Sequence, residues 1–204
     1  MSPQDKAARH TSPTVFVVDD DAAVRKAVRL MLLTAGHDVE TFSSAKEFLA
    51  VHDSARPGCL VCDVRMPGMD GLELLRQLID LKTTLPVVML TAHGDITMAV
   101  GAMKIGAVDF LEKPADPETL RRKVAEALAK NEQHRADSNE QAEIRQLLTT
   151  LTTREREVLE YLVDGKEART IARILGTSHN TVRVQRVSLM KKMRADNIAD
   201  LVNM

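Results

Sequence analysis

The stretch Val15-Phe16-Val17-Val18-Asp19-Asp20 decides the fold class of the N-terminal part of the chain, because four apolar residues end abruptly in two acidic ones. The same arrangement returns further along. Apolar residues 59–62 precede Asp63, apolar residues 87–90 precede Thr91, and Lys113 comes shortly after the pair Phe110-Leu111. Apolar runs of this length are typical of strands that are buried on both faces of a parallel sheet.

Helical stretches alternate with these apolar runs over residues 14–113. The pattern predicts strands at 15–18, 39–42, 59–62, 87–90 and 108–111. It predicts helices at 22–35, 45–52, 71–81 and 96–105, and a further helix from Pro117 onward. Strict alternation of strand and helix predicts an α/β fold, a doubly wound five-stranded parallel sheet with helices on both faces.

The polar residues at the strand ends predict a functional site. In an open parallel sheet the C-terminal ends of the strands converge on one crevice, where ligands bind. Asp19, Asp20 and Asp63 would meet there, and three carboxylates stay ionised more easily beside a hard cation such as Mg²⁺, which prefers oxygen ligands. Lys113 adds a point charge for a phosphate, and the Thr91 hydroxyl adds a hydrogen-bond donor. The set predicts a phosphorylation site in which an aspartate carries the phosphate.

Two cysteines, Cys59 and Cys62, form a C-x-x-C pattern, which in other chains signals redox or metal chemistry. Here both lie in one predicted strand, where residues three apart point to opposite faces. We therefore interpret them as two small buried apolar residues.

The last quarter of the chain carries an excess of positive charge. Between Arg169 and Arg194 there are seven Lys and Arg residues and no acidic one. A solvated helix surface is the ordinary explanation of a basic stretch, but the complete lack of acids favours a nucleic-acid-binding face.

The helical pattern of this region predicts which residues would contact DNA. Thr152 and Glu155 fit a capping box at the start of one helix, and two further helices joined at Gly176-Thr177-Ser178 form a helix-turn-helix. In the second of these helices Val182, Leu189 and Met193 define the inner face. Base contacts are predicted for Arg183, Val184 and Val187, and phosphate contacts for Lys191 and Lys192. Arg186 either contacts DNA or pairs with an acid such as Glu155.

Two sets of motifs carry a family resemblance over nearly the whole chain. Val18-Asp19-Asp20-Asp21, Cys62-Asp63-Val64-Arg65-Met66-Pro67-Gly68, Leu90-Thr91-Ala92-His93-Gly94-Asp95 and Phe110-Leu111-Glu112-Lys113-Pro114 resemble the receiver domain of two-component response regulators, with its flavodoxin-like or CheY-like fold. The tail resembles a LuxR-type helix-turn-helix, and together they resemble a transcription regulator of the FixJ/NarL type. The resemblance implies a receiver domain at 13–130, a helical linker at 131–147 and a small all-α DNA-binding domain at 148–204.

The resemblance also implies a role for each residue of the site. Asp63 would accept phosphate from a phosphohistidine. Asp20, Asp63 and the backbone carbonyl of Arg65 would hold Mg²⁺, and Asp19 would assist through a water molecule. Thr91 and Phe110 would form the switch that responds to phosphorylation, and Lys113 would pair with a phosphate oxygen. The Lys113–Pro114 peptide bond would be cis.

Three departures from the family pattern accompany these matches. Gln185 stands where many relatives have His, and His179-Asn180 replace a more usual pair in the turn. We therefore expect the target DNA sequence to differ from that of relatives. Gly101 lies in a helix that often forms part of the dimer face, so it either changes the usual contact or allows a close approach.

The expected function is a phosphorylation-activated transcription regulator rather than an enzyme. Its expected partners are a histidine kinase, double-stranded promoter DNA and, after phosphorylation, a second copy of the chain. We expect no membrane association and a cytoplasmic location. One alternative is a receiver that acts through protein partners only. Another is an aspartate-based, Mg²⁺-dependent phosphatase, but that class needs an Asp-x-Asp pattern at the first strand, where the acids here are adjacent.

Overall fold

The computed structural model describes residues 12–92 and 96–204. Its N-terminal part contains five parallel strands in the order β2-β1-β3-β4-β5. The strands are β1 (Thr14–Val18), β2 (Asp38–Phe42), β3 (Gly58–Asp63), β4 (Val87–Thr91) and β5 (Asp109–Glu112). The predicted fold class is confirmed, and each predicted strand lies within one residue of its observed position at either end.

Helices cover both faces of this sheet. They are α1 (Ala22–Thr34), α2 (Ala45–Val51), α3 (Gly71–Asp80), α4 (Ile96–Ile105) and α5 (Pro117–Thr149). Alternate residues of each strand enter two separate apolar cores. Cys59 packs with Leu32 and Leu120 on the face of α1 and α5, whereas Cys62 packs with Leu74 and other residues on the opposite face. Both thiols are buried and unoxidised, as the interpretation of the C-x-x-C pattern requires.

Side-chain caps start the helices that follow the strands. The carboxylate of Asp21 accepts hydrogen bonds from the N–H groups of Ala23 and Val24 and so begins α1. Asp70 and Glu73 form a reciprocal capping box at the start of α3. These caps fix where each helix leaves the C-terminal edge of the sheet.

Helix α5 is long because neither glycine nor proline interrupts it after Pro117. It includes all of the segment 131–147. The chain forms two compact units, each with most of its residue contacts inside itself. The boundary between them falls between Arg135 and Ala136. On the N-terminal side of that division, Asn131 is buried and hydrogen-bonded to the main chain at Gly58 and Thr84. The guanidinium of Arg135 donates to the carbonyls of Ser54 and Ala55. The first residues of the polar segment therefore belong to the packing of the N-terminal unit.

The C-terminal unit is helical. After the end of α5 it contains α6 (Thr153–Val163), α7 (Ala168–Ile174), α8 (His179–Met193) and α9 (Ile198–Asn203). Its core includes Val158, Leu162, Ile171, Val182 and Leu189. Tyr161 packs partly buried against this core, with the Lys166 ammonium 5.6 Å from the centre of its ring. Among the described residues no helix is both long enough and apolar enough to cross a bilayer.

Candidate phosphorylation site and nucleic-acid interface

Three carboxylates meet at the C-terminal edge of the sheet. Asp19 follows β1 and is 1% exposed, Asp20 is exposed, and Asp63 ends β3 and is buried. One oxygen of each lies within 4.8 Å of those of the other two. Oxygen donors at this spacing suit a hard cation such as Mg²⁺, so the donor set fits the cation that the sequence predicts.

Lys113 lies between two of these carboxylates. Its ammonium nitrogen is 2.6 Å from Oδ2 of Asp19 and 3.1 Å from Oδ1 of Asp63. The main chain holds Lys113 in place, because its N–H donates to the carbonyl of Thr91 at 2.7 Å. The following peptide bond to Pro114 is cis, which confirms that prediction.

Burial and charge act in opposite directions on the ionisation of this cluster. Burial raises the pKa of the Asp63 carboxyl above its ordinary value, while the nearby Lys113 ammonium opposes that rise. Burial alone would lower the pKa of Lys113, but its hydrogen bonds to Asp19 and Asp63 outweigh burial and raise it. Lys113 therefore stays charged. Its positive charge offsets part of the free-energy cost of burying the ionised carboxylate of Asp63.

Thr91 and Phe110 occupy neighbouring strands near this site. Thr91 ends β4 and is fully buried, and Phe110 lies in β5, partly buried against the core on the α2–α4 face. Residues 93–95, which belong to the same motif as Thr91, lie outside the described residues. The strand ends thus bring Asp19, Asp20, Asp63, Thr91 and Lys113 together, as the convergence of parallel strands requires.

Three further residues, which sequence reasoning did not find, contact main-chain atoms of Asp19 or Asp63. Arg25 of α1 donates from its guanidinium to the Asp19 carbonyl at 2.6 Å. Gly71, at the start of α3, and Cys62 both contact the main chain of Asp63. A pattern of spacing along the chain gives no signal for such contacts, because they depend on how α1 and α3 pack against the strand ends.

The second candidate site is the outer face of α8. Ser178 caps this helix by accepting from the N–H of Thr181, and Val182, Leu189 and Met193 are buried beneath it. Arg183 is exposed, and Val184 and Val187 are 61% and 66% exposed. Together with Asn180 and Lys191 they line one side of the helix. Exposed valines beside an arginine suit contact with base edges and thymine methyl groups.

The carboxylate of Glu155 in α6 binds two side chains of α8. It is 2.6 Å from the ammonium of Lys192 and accepts from the hydroxyl of Ser188 at 2.6 Å. These two bonds and the main-chain N–H of Thr152 lower the pKa of Glu155 to about 2. Among the described residues Glu155 forms its ion pair with Lys192 and none with Arg186, and the role of Arg186 stays a prediction. Ser188 and Lys192 lie on the side of α8 that faces Glu155.

The structure describes the surroundings of Gln185 and Gly101, two of the departures from the family pattern. The side-chain oxygen of Gln185 is buried and has no hydrogen-bond partner among the described protein atoms. At Gly101 an added Cβ would meet no described atom within 4 Å, so packing inside the N-terminal unit does not require glycine there.

Comparison with known proteins gives a family for each of the two parts of the chain. Residues 15–125 match the family described as "Response regulator receiver domain", and residues 149–204 match "Bacterial regulatory proteins, luxR family". The chain is 44% identical to the transcriptional regulatory protein FixJ of Rhizobium meliloti over 95% of both chains. It is 39% identical to the response regulator protein TodT of Pseudomonas putida, over 95% of this chain and 87% of that one.

Solved structures of response regulators also resemble this chain. The response regulator StyR superposes with a TM-score of 0.86 at 43% identity, covering 95% of this chain and 98% of that one. Full-length FixJ from B. japonicum gives a TM-score of 0.58 at 38% identity, covering 94% of both chains.

Proposed function

The chain belongs to the response regulators of two-component systems that join a receiver domain to a LuxR-family DNA-binding domain, and we propose that Asp63 is its phosphate acceptor. The observation that carries the proposal is the grouping of Asp63 with Asp19, Asp20 and Lys113 at one sheet edge. A buried carboxylate beside an ammonium and two further acids is suited to take up a phosphoryl group with Mg²⁺ present.

The chemistry at Asp63 is a simple displacement at phosphorus. A carboxylate oxygen of Asp63 forms a bond to phosphorus while the P–N bond of a phosphohistidine breaks, and the bonding electron pair returns to the imidazole nitrogen. Asp20, Asp63 and the backbone carbonyl of Arg65 would hold Mg²⁺, with Asp19 assisting through water. When bound, the cation offsets the charge on the phosphoryl oxygens.

Lys113 and Thr91 would respond to the new phosphate. Before transfer, the Lys113 ammonium is shared between Asp19 and Asp63. After transfer, a phosphate oxygen becomes its strongest nearby acceptor, and the Thr91 hydroxyl donates to another. Phosphate would thereby stabilise one of two pre-existing receiver states, with Phe110 turning inward behind Thr91.

The output of this switch is DNA binding by a homodimer. The outer face of α8 would enter the major groove, with Arg183, Val184 and Val187 at base edges and Arg186 and Lys191 near the backbone. Lys192 was predicted to contact phosphates as well, but its ammonium is already bonded to Glu155 and to the Thr150 carbonyl. We propose that Lys192 mainly orients α8. A histidine kinase, promoter DNA and a cytoplasmic location complete the proposal.

The assignment of Asp63 is tested by labelling. The protein is incubated with acetyl phosphate and Mg²⁺, and the modified residue is mapped by mass spectrometry. Asp63→Asn should abolish the label, and Asp20→Ala should impair it while leaving the circular dichroism spectrum unchanged. Asp80→Asn, an exposed change on α3, is the matched control. Unchanged labelling of Asp63→Asn would overturn the assignment.

A further inference from the structure

The start of α3 lies directly on the main chain of Asp63. An ideal Cβ built on Gly71 would be 2.1 Å from the carbonyl oxygen of Asp63 and 3.0 Å from its carbonyl carbon. The N–H of Gly71 donates to the carbonyl of the next residue, Val64, at 2.9 Å. Any side chain larger than hydrogen at this position would have to push main-chain atoms apart.

A second contact reaches the same carbonyl oxygen from the core. The thiol of Cys62 is fully buried, and its sulfur lies 3.2 Å from the oxygen of Asp63, to which it donates. This is a weak hydrogen bond. The Asp63 carbonyl is therefore confined by α3 and by the thiol.

The orientation of this peptide decides where the Asp63 carboxylate points. The N–H of Val64 donates to the Leu90 carbonyl at 2.9 Å, and the N–H of Arg65 donates to the Asp63 carboxylate itself. A shift of the Asp63–Val64 peptide would move these donors as well as the carboxylate. It would also move the Arg65 carbonyl, one of the proposed Mg²⁺ ligands.

We infer that Gly71 and Cys62 are positioning residues for phosphorylation, which hold the main chain of Asp63 so that its carboxylate and the Arg65 carbonyl face the acidic cluster. The inference rests on the proposed role of Asp63 as phosphate acceptor. Neither residue touches the phosphoryl group, so their effect acts through the geometry of Asp63 alone.

Gly71→Ala is the first test. The new methyl group needs about 1 Å of main-chain movement to reach ordinary contact, and a misplacement of about 1 Å can lower a rate on the order of 100-fold. We expect the rate of phosphorylation by acetyl phosphate, at saturating Mg²⁺, to fall at least about 10-fold. The dissociation constant for Mg²⁺ alone, measured by titration calorimetry, should rise.

Leu78→Ala is the matched control. Leu78 is a buried residue of the same helix, and its truncation should lower the midpoint of urea unfolding because it leaves a cavity in the core. Because Leu78 lies about two helical turns beyond Gly71, its variant should phosphorylate at the wild-type rate at temperatures where it is folded. Equal slowing by Leu78→Ala and Gly71→Ala would mean that Gly71 acts only through stability, which would overturn the inference.

The pair Cys62→Ala and Cys62→Ser gives an independent test and decides the matter if Gly71→Ala fails to fold. Alanine removes the donor and should slow phosphorylation about two- to fivefold, whereas serine keeps a donor and should recover most of the rate. Equal rates for wild type and Cys62→Ala would overturn the role of Cys62. Absence of label on Asp63 in the wild-type protein would instead overturn the proposed function.

Discussion

The side-chain oxygen of Asn131 accepts a hydrogen bond from the main-chain N–H of Gly58 at 3.0 Å. Its amide nitrogen donates to the carbonyl of Thr84 at 2.9 Å. Gly58 begins β3, and Thr84 lies just before β4, so one buried side chain on α5 joins the starts of the two strands that end in Asp63 and Thr91. These two hydrogen bonds connect the beginning of the predicted linker to the strands that carry Asp63 and Thr91.

Asn131→Leu should therefore destabilise the receiver domain. It leaves the buried Gly58 N–H unpaired and removes the donor of the Thr84 carbonyl, at a cost of about 1–3 kcal/mol. The loss can be measured as a lower midpoint of urea unfolding followed by circular dichroism. Glu132→Ala, an exposed neighbour, should have little effect. A stability equal to wild type for Asn131→Leu would show that water replaces the amide without loss.

Lys113→Ala should separate phosphorylation from its consequence. We expect the variant to accept phosphate from acetyl phosphate but not to form the dimer, because no ammonium remains to bind the phosphate oxygen. Light scattering coupled to size-exclusion chromatography measures the dimer fraction, and Lys130→Ala is the exposed control. Normal dimer formation by labelled Lys113→Ala would contradict a transmitting role for this lysine.

The stability of the DNA-binding domain should depend on pH through Glu155. Its folded pKa, about 2, lies below the ordinary value of 4.5 because Lys192, Ser188 and Thr152 favour the ionised carboxylate. This contribution to the free energy of unfolding is therefore present above pH 4.5 and is lost as the pH falls from 4.5 toward 2.

In Glu155→Gln that part of the pH dependence should disappear. Urea unfolding at several pH values between 2.5 and 6 measures it, and the exposed Glu160→Gln should keep the wild-type slope. A slope in Glu155→Gln that equals the wild-type slope would mean that other acids dominate this pH range.

Two variants on α8 should weaken DNA binding in different ways. Arg183→Ala should reduce affinity for the target by about 1–3 kcal/mol and relax its sequence preference. Lys191→Ala should weaken binding to all sequences and reduce the slope of log affinity against log salt by about 1. Equal losses on target and random DNA for Arg183→Ala would argue against base readout.

The helical segment 131–147 should transmit the state of the receiver. Proline at Asn139 would remove a helix hydrogen bond and cost about 3 kcal/mol locally. We expect Asn139→Pro to be labelled normally on Asp63 but to bind DNA equally with and without phosphate, as measured by fluorescence anisotropy of labelled DNA. Asn139→Ala is the control. A normal phosphate response in Asn139→Pro would leave dimer formation alone as the means of control.

The strand ends could be predicted from the sequence because burial on both faces of a parallel sheet leaves a strong local signal. An apolar run stops where the strand does, and the first polar residue then lies at the sheet edge, as Asp63 and Thr91 do. Local caps were predictable for the same reason. Asp21 and Thr152 accept from N–H groups only two or three residues away.

Contacts between distant segments could not be predicted in this way. The hydrogen bond from Lys192 to Glu155, 37 residues earlier in the chain, left no sign in the helical spacing of α8. Asn131 and Gly58 are 73 residues apart, and the asparagine looked like one more polar residue of a linker. Gly71 looked like an ordinary helix start, because the carbonyl that excludes a side chain there belongs to the preceding strand.

Tyr161 gives the chain a built-in optical probe. The sequence has one tyrosine and no tryptophan, and Tyr161 packs against the core of the helical C-terminal unit. Ultraviolet-excited tyrosine emission therefore reports on that unit alone, while circular dichroism sums the signals of both. Recording the two together in intact protein would resolve which domain melts first, without cutting the chain or attaching a dye.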